Sequence, residues 1–183
     1  MTTMQQFWVF GYGSLMWNPG FDFVESRPAL VHGYHRSLCV YSFVHRGTPE
    51  RPGLVLGLDR GGSCHGMAFR IAASEWEATV AYLRSREQVT MVYREVVTPA
   101  RLLRGGTTIS ALAYVVDRGH EQYAGRLDEP SLLHHVRQGR GKSGECIDYV
   151  KSTLNHLRDM NIRDATIEGL GRSLGLQAAS SAT

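Results

Sequence analysis

The sequence predicts an α+β domain: a mixed, largely antiparallel β-sheet, suited to closing into a barrel, with flanking helices. Three observations lead there. Runs rich in Val, Ile, Leu, Phe and Tyr fill the first two-thirds of the 183 residues. Helical spacing fills the last third, with one helical stretch inserted among the strands. Strands and helices do not alternate regularly and no segment repeats, which favours antiparallel or mixed pairing.

The first strand is expected over residues 7–12, an apolar run that stops abruptly at Gly11-Tyr12-Gly13-Ser14. A short apolar run ending in turn residues reads as a buried strand delivering a loop. The loop continues through Trp17, Asn18, Pro19 and Gly20. Residues 28–44 read as one or two strands bent at Gly33. Residues 46–53 hold two prolines and two glycines and read as a turn-rich loop. Two further strands, 54–58 and 65–71, look joined by a hairpin at Asp59-Arg60-Gly61-Gly62.

A helix follows, with Ser74 as N-cap and Glu77 completing a capping box. Trp76, Val80 and Leu83 give it one apolar face, and Glu87 falls at its C-terminal end. Strands are expected at 91–98, stopped by Pro99, and at 107–116. Glu129 to Gln138 reads as a helix with Pro130 in its first turn. After a loop at 139–144, Ile147, Val150, Leu154 and Leu157 mark another helix. A last short helix starts at Asn161, has Asp164 in its first turn and ends near Gly175. The Ala/Ser-rich stretch 177–183 is expected to fray.

A chain that is 43% hydrophobic and 20% charged fits one ordinary domain, placed at residues 1–176. The net charge is +3, but Lys and Arg are scattered, so no nucleic-acid partner is expected. A small anionic ligand suits the balance better. Cys39, Cys64 and Cys146 are odd in number and widely spaced, which argues against a disulfide framework or a zinc site. No signal peptide or membrane span is read, so a reducing, cytoplasmic location is expected. The oligomeric state is left open.

Several motifs imitate known chemistry and break down on inspection. Gly11-Tyr12-Gly13 begins a dinucleotide fingerprint, yet Met16 stands where its third glycine belongs. Gly141-Lys142-Ser143 resembles the end of a phosphate loop, but Val136 replaces its first glycine and a helix precedes it. Ser14 lacks the G-x-S-x-G frame of a serine nucleophile and reads as a hydrogen-bonding group. Adjacent His134 and His135 would point to different sides of a helix, which does not suit a shared metal. Glu87 is more suggestive. A carboxylate at a helix C-terminus faces the negative end of the macrodipole. Such a breach of local preference often marks function.

Taken together, three blocks resemble the ChaC-like γ-glutamylcyclotransferases. They are residues 9–19 (VFGYGSLMWNP), residues 45–53 (HRGTPERPG), and Tyr82-Leu83 with Arg86-Glu87 followed by Tyr93. A late tyrosine, Tyr149, matches as well, although Gly144-Glu145-Cys146-Ile147-Asp148 before it departs from the family's usual Asn-Thr-Glu-Tyr-like stretch. The blocks lie in order and span nearly the whole chain. The resemblance implies a mixed β-barrel with flanking helices. It also implies cleavage of glutathione to 5-oxoproline and cysteinylglycine without metal or cofactor. On this reading Glu87 is the acid/base, and Tyr12, Gly13, Ser14 and Leu15 hold the γ-glutamyl part. Tyr93 and Tyr149 belong to the substrate-binding set. Arg46, with His45, is a candidate partner for the glycine carboxylate. Two rival readings are a cyclotransferase for other γ-glutamyl amines or dipeptides, and a non-catalytic γ-glutamyl-binding protein.

Overall fold

The computed structural model describes residues 5–176, so the expected frayed stretch 177–183 lies outside the described residues. Among the described residues, five strands close into a barrel in the order β1-β3-β2-β4-β5. They are β1 (Phe7–Gly11), β2 (Glu25–Ser42), β3 (Gly53–Ile71), β4 (Tyr93–Leu102) and β5 (Thr108–Val116). Helices α1 (Trp76–Glu87), α2 (Glu129–Gln138), α3 (Cys146–Asp159) and α4 (Ala165–Ser173) accompany them. The pairs β1–β3, β2–β4 and β4–β5 are antiparallel, and closure comes from a parallel β1–β5 pair, Trp8 to Ala111 and Val9 to Leu112. The barrel is therefore mixed and largely antiparallel, as expected. No described helix is long and apolar enough to cross a membrane.

The chain divides into two compact units, residues 5–36 with 58–120 and residues 37–57 with 121–176. In the first, Val9, Leu15, Phe69, Ile71, Leu83, Leu112 and Tyr114 form a buried cluster. Phe7 stacks on Trp76 at 4.9 Å between ring centroids. Alternation of these side chains along the strands, and the Leu83 face of α1, are what the apolar periodicities in the sequence encode.

In the second unit, Cys146, Val150, Thr153, Leu154 and Leu157 form the buried face of α3. A Cβ at Gly171 of α4 would stand 2.6 Å from the Leu154 Cδ2 methyl, so a larger residue there would require the tip of that side chain to shift. The N-caps are Asp128, whose side chain accepts from Ser131 N–H at 2.9 Å, and Asp164, which accepts from Ile167 N–H at 3.1 Å.

Five local expectations are corrected. Residues 59–62 are not a hairpin: β3 runs unbroken through them. Gly61 and Gly62 have φ of +100° and +68°, but both lie against His35, whose Nδ1 is 2.9 Å from Gly61 O. The distortion is absorbed inside the strand, as at a bulge, instead of reversing the chain. Ser74 does not cap α1. It sits inside a 3-10 turn, Ala73–Glu75, and that turn leads directly into the helix without a side-chain cap bond.

Pro99 does not end β4, which continues to Leu102. Pairing with β2 starts one residue later, at Ala100, so the missing N–H of Pro99 falls where the ladder to β2 has not begun. The last helix starts at Ala165, not Asn161. Asn161, at φ +56°, instead terminates α3, with Ile162 N–H donating to Leu157 O at 2.8 Å. Residues 139–144 contain a small paired turn between β6 (Arg140–Gly141) and β7 (Gly144–Glu145).

Candidate active site

The first unit carries the glycine loop and Glu87. β1 delivers Gly11, and the chain then folds into a 3-10 turn, Ser14–Met16. Met16 N–H donates to Gly13 O at 2.9 Å and Asn18 N–H to Ser14 O at 2.8 Å. Leu15 and Met16 are buried, so apolar burial holds the turn from below while half-buried Ser14 stays reachable. Buried Arg36 anchors its start: Nε donates to Tyr12 O and Nη2 to His65 O, each at 2.6 Å. On β3, a Cβ at Gly66 would overlap Gly11 O and stand 2.7 Å from Phe10, so strand and loop meet there backbone to backbone.

Glu87 is the last residue of α1, with its side chain only 17% exposed. Burial raises its pKa above the ordinary glutamate value, and the neighbouring Arg86 guanidinium opposes the rise. Arg86 Nη2 donates to Ser14 Oγ at 2.9 Å, while its Nε lies 3.4 Å from Glu87 Oε1. One side chain therefore touches both the loop and the carboxylate. Tyr93 opens β4 and packs against the same apolar cluster as Leu15, and its carbonyl accepts from Gln88 Nε2 at 3.3 Å. Behind it, Glu95 accepts from Arg84 at 2.8 and 2.9 Å and from Tyr114 Oη at 2.9 Å. The Arg84 hydrogen bond holds Glu95 below its ordinary pKa, and burial holds Tyr114 above its own.

The structure thus gathers Tyr12, Gly13, Ser14, Leu15, Glu87 and Tyr93 in one unit. Arg46 and Tyr149 belong to the second unit, where they meet each other. The Arg46 guanidinium lies 5.6 Å from the Tyr149 ring centroid, and Nη1 donates to Glu145 O at 3.1 Å. Tyr149 Oη accepts from Leu56 N–H at 3.0 Å. His45 Nδ1 is 2.9 Å from Ser143 Oγ. Lys142 N–H and Ser143 N–H donate to Val44 O and His45 O at 2.8 and 2.9 Å. The phosphate-loop look-alike thus spends those two amides on the 43–52 loop.

His134 is exposed, while His135 Nδ1 is 3.1 Å from Pro52 O. All three cysteines are buried, and none forms a disulfide. Among the described residues, no group of three or more His, Cys, Asp or Glu is placed to hold a metal ion.

Sequence reasoning missed two residues of this site. Arg36 had a signal, a charged residue just ahead of the apolar Leu38-Cys39-Val40 run in the same expected strand. Arg86 enters the resemblance only as the partner in the Arg86-Glu87 pair, and nothing in its spacing reveals that its fork reaches back to Ser14.

Known proteins share these blocks. A family model described as "ChaC-like protein" matches residues 7–175. A protein of Escherichia coli (strain K12) named glutathione-specific γ-glutamylcyclotransferase is 32% identical over 164 residues, covering 89% of this chain and 70% of that protein. One from Schizosaccharomyces pombe with the same name is 33% identical, covering 84% of each chain. Among solved structures, a yeast γ-glutamyl cyclotransferase described as specific to glutathione matches with a TM-score of 0.83. That match is at 20% identity over 97% of this chain and 99% of the other, a likeness of fold. With the family match running from β1 to just beyond α4 and these relatives about a third identical to it over the aligned stretches, the chain belongs to the ChaC-like family.

Proposed function

We propose that this chain is a glutathione-specific γ-glutamylcyclotransferase that cleaves glutathione to 5-oxoproline and cysteinylglycine. The observation that carries the reading is Glu87: a mostly buried carboxylate with raised pKa, tied through Arg86 to a glycine loop. Glutathione supplies the nucleophile itself. Its free α-amine attacks the γ-carbonyl, closes a five-membered ring and expels the cysteinyl amine. Intramolecular attack gains most from a folded, aligned substrate, an effect worth up to ~7–11 kcal/mol. The Tyr12–Leu15 turn suits that task because Arg36 and the buried Leu15 and Met16 hold its backbone in place while Ser14 stays half-buried. Proton traffic falls to Glu87, which takes a proton from the attacking α-amine and returns one to the departing amine. Such acid/base work contributes ~10²–10⁴-fold. Burial prepares the carboxylate for both directions by bringing its proton affinity nearer neutral pH.

In this reading Ser14 binds instead of attacking, and the loop backbone stabilises either the tetrahedral oxygen or the substrate α-carboxylate. Tyr93, Arg46 and Tyr149 are proposed substrate-binding residues on the strength of the resemblance. The cytoplasm, where glutathione is kept reduced, is the proposed location. The test is product analysis. Purified protein incubated with glutathione is expected to release 5-oxoproline and cysteinylglycine, with γ-glutamyl-alanine turned over far more slowly. Preference for γ-glutamyl-alanine would move the assignment to other γ-glutamyl amines. Absence of 5-oxoproline from every γ-glutamyl substrate would make the protein a binder.

A further inference from the structure

Arg86 connects two stretches that lie far apart in sequence. Nη1 donates to Asn18 O at 2.7 Å, to Pro19 O at 3.1 Å and to Tyr82 Oη at 3.1 Å. Nη2 donates to Ser14 Oγ at 2.9 Å. Nε faces Glu87 Oε1 at 3.4 Å. All three guanidinium nitrogens are thereby engaged by protein groups, so this arginine is not arranged as a free cation awaiting an anionic ligand. Tyr82 lies one helical turn earlier on α1 and sets the other side of the contact. A Cβ at Gly20, where φ is +74°, would overlap Tyr82 Oη. Glycine there lets the loop turn down onto the Tyr82–Arg86 pair. The Asn18-Pro19-Gly20 turn and the Tyr82/Arg86 spacing are two halves of one clamp.

We propose that Arg86 is a positioning residue. By gripping Ser14, Asn18 and Pro19 with one edge of its guanidinium while keeping Nε against Glu87, it fixes the substrate-holding loop in register with the proton-transferring carboxylate. The inference rests on Glu87 being the acid/base. Arginine suits the task because its donors point in fixed directions in one plane, whereas a lysine ammonium satisfies one side of the clamp at a time. An error of about 1 Å between substrate and catalytic group costs on the order of 10²-fold in rate.

Arg86 also sets the charge that Glu87 feels. Its cation opposes the effect of burial on the carboxylate. The other ionisable groups nearby are muted. Tyr114, on β5, stays protonated because burial and Glu95 oppose its ionisation. Glu95, on β4, stays ionised and is paired with Arg84 through two hydrogen bonds. Removing the Arg86 charge therefore shifts Glu87 towards the protonated form.

The experiment compares 5-oxoproline release from glutathione by wild type, Arg86→Lys, Arg86→Gln and Ser14→Ala, with pH profiles and melting curves for each. Arg86→Gln is expected to lower kcat by about 10²-fold and to move the acid limb of kcat/KM to higher pH. Arg86→Lys is expected to keep the limb near its wild-type position and still lose about tenfold or more in kcat. In the Arg86→Gln background, Ser14→Ala is expected to cost less in kcat than it does in wild type, because one of the contacts it removes is already gone. Two results overturn the inference. One is an Arg86→Lys protein with wild-type kcat. The other is an Arg86→Gln protein whose activity falls only in step with its melting temperature, with an unmoved limb. If Arg86→Gln does not fold, the folded Arg86→Lys protein decides by its kcat alone. Wild type that releases no 5-oxoproline defeats the functional reading itself, a different result from active wild type with indifferent Arg86 variants.

Discussion

Glu87 sets function against stability at a single side chain. Its pKa is raised first by burial, with Arg86 acting against the rise. The folded protein therefore holds a proton that the unfolded chain has already released. Stability from this group is fully present below the ordinary glutamate pKa of about 4.3 and is lost as pH rises through the folded value. An ionised Glu87 at neutral pH is thus a cost to folding. Glu87→Gln is expected to lower 5-oxoproline release by ~10²–10⁴-fold. Its melting temperature at neutral pH should equal or exceed that of wild type, and the advantage should vanish in acid. A variant that is inactive and also melts lower at neutral pH would assign Glu87 a structural job. Glu95 has the opposite sign: Arg84 lowers its pKa, so its contribution is present above the unfolded value and lost as pH falls. Tyr149→Phe removes the acceptor of Leu56 N–H and should cost about 1 kcal/mol in denaturant unfolding, whatever it does to KM. At this scale the sequence was partly legible. Glu87 stood out because a carboxylate at a helix C-terminus defies the macrodipole. Arg86 did not, because an arginine beside a glutamate looks like any solvated pair.

Among the elements, those whose burial repeats at a fixed period were readable from the chain. The apolar positions of α3 and the strand at β5 are cases in point, because amphipathic burial leaves its period in the residues. The misreadings share a cause: short local signals were outvoted by neighbours distant in sequence. Asp59-Arg60-Gly61-Gly62 has turn chemistry, but His35 on β2 lies against both glycines and the strand continues. Ser74 and Glu77 have capping-box spacing, but the chain enters α1 through a 3-10 turn that has already closed with Glu75 N–H on Ala72 O at 2.9 Å. Asp164 is the contrary case, a local signal that the fold uses, as the N-cap of a helix starting at Ala165 instead of inside the first turn of one starting at Asn161. Its side chain satisfies Ile167 N–H at the start of α4. Asp164→Ala should therefore cost about 1 kcal/mol, read as a lower denaturant midpoint with unchanged slope. An unchanged midpoint would show that solvent replaces the cap at no cost.

For the molecule as a whole, the open issue is whether the two compact units unfold as one. β2 (Glu25–Ser42) and β3 (Gly53–Ile71) each supply residues to both units, since the divisions fall at 36/37 and 57/58. A unit cut at those points would break two strands in mid-length, so we propose a single cooperative domain. The sequence provides its own reporters. All three tryptophans, Trp8, Trp17 and Trp76, lie in the first unit, so their fluorescence follows that unit alone. α2, α3 and α4 lie in the second, so much of the helical circular dichroism follows the other. Leu83 is fully buried in the first unit's cluster with Leu15 and Tyr114, and Leu83→Ala should cost about 2–5 kcal/mol through the cavity it leaves. If the units fold together, both signals of Leu83→Ala shift by the same amount and stay coincident, as two-state unfolding requires. If the fluorescence transition moves and the helical one stays, the units are separate domains. Coincidence has a functional corollary. Leu15 lies in the same cluster as Leu83, so the loop would then share the stability of the whole fold instead of opening locally.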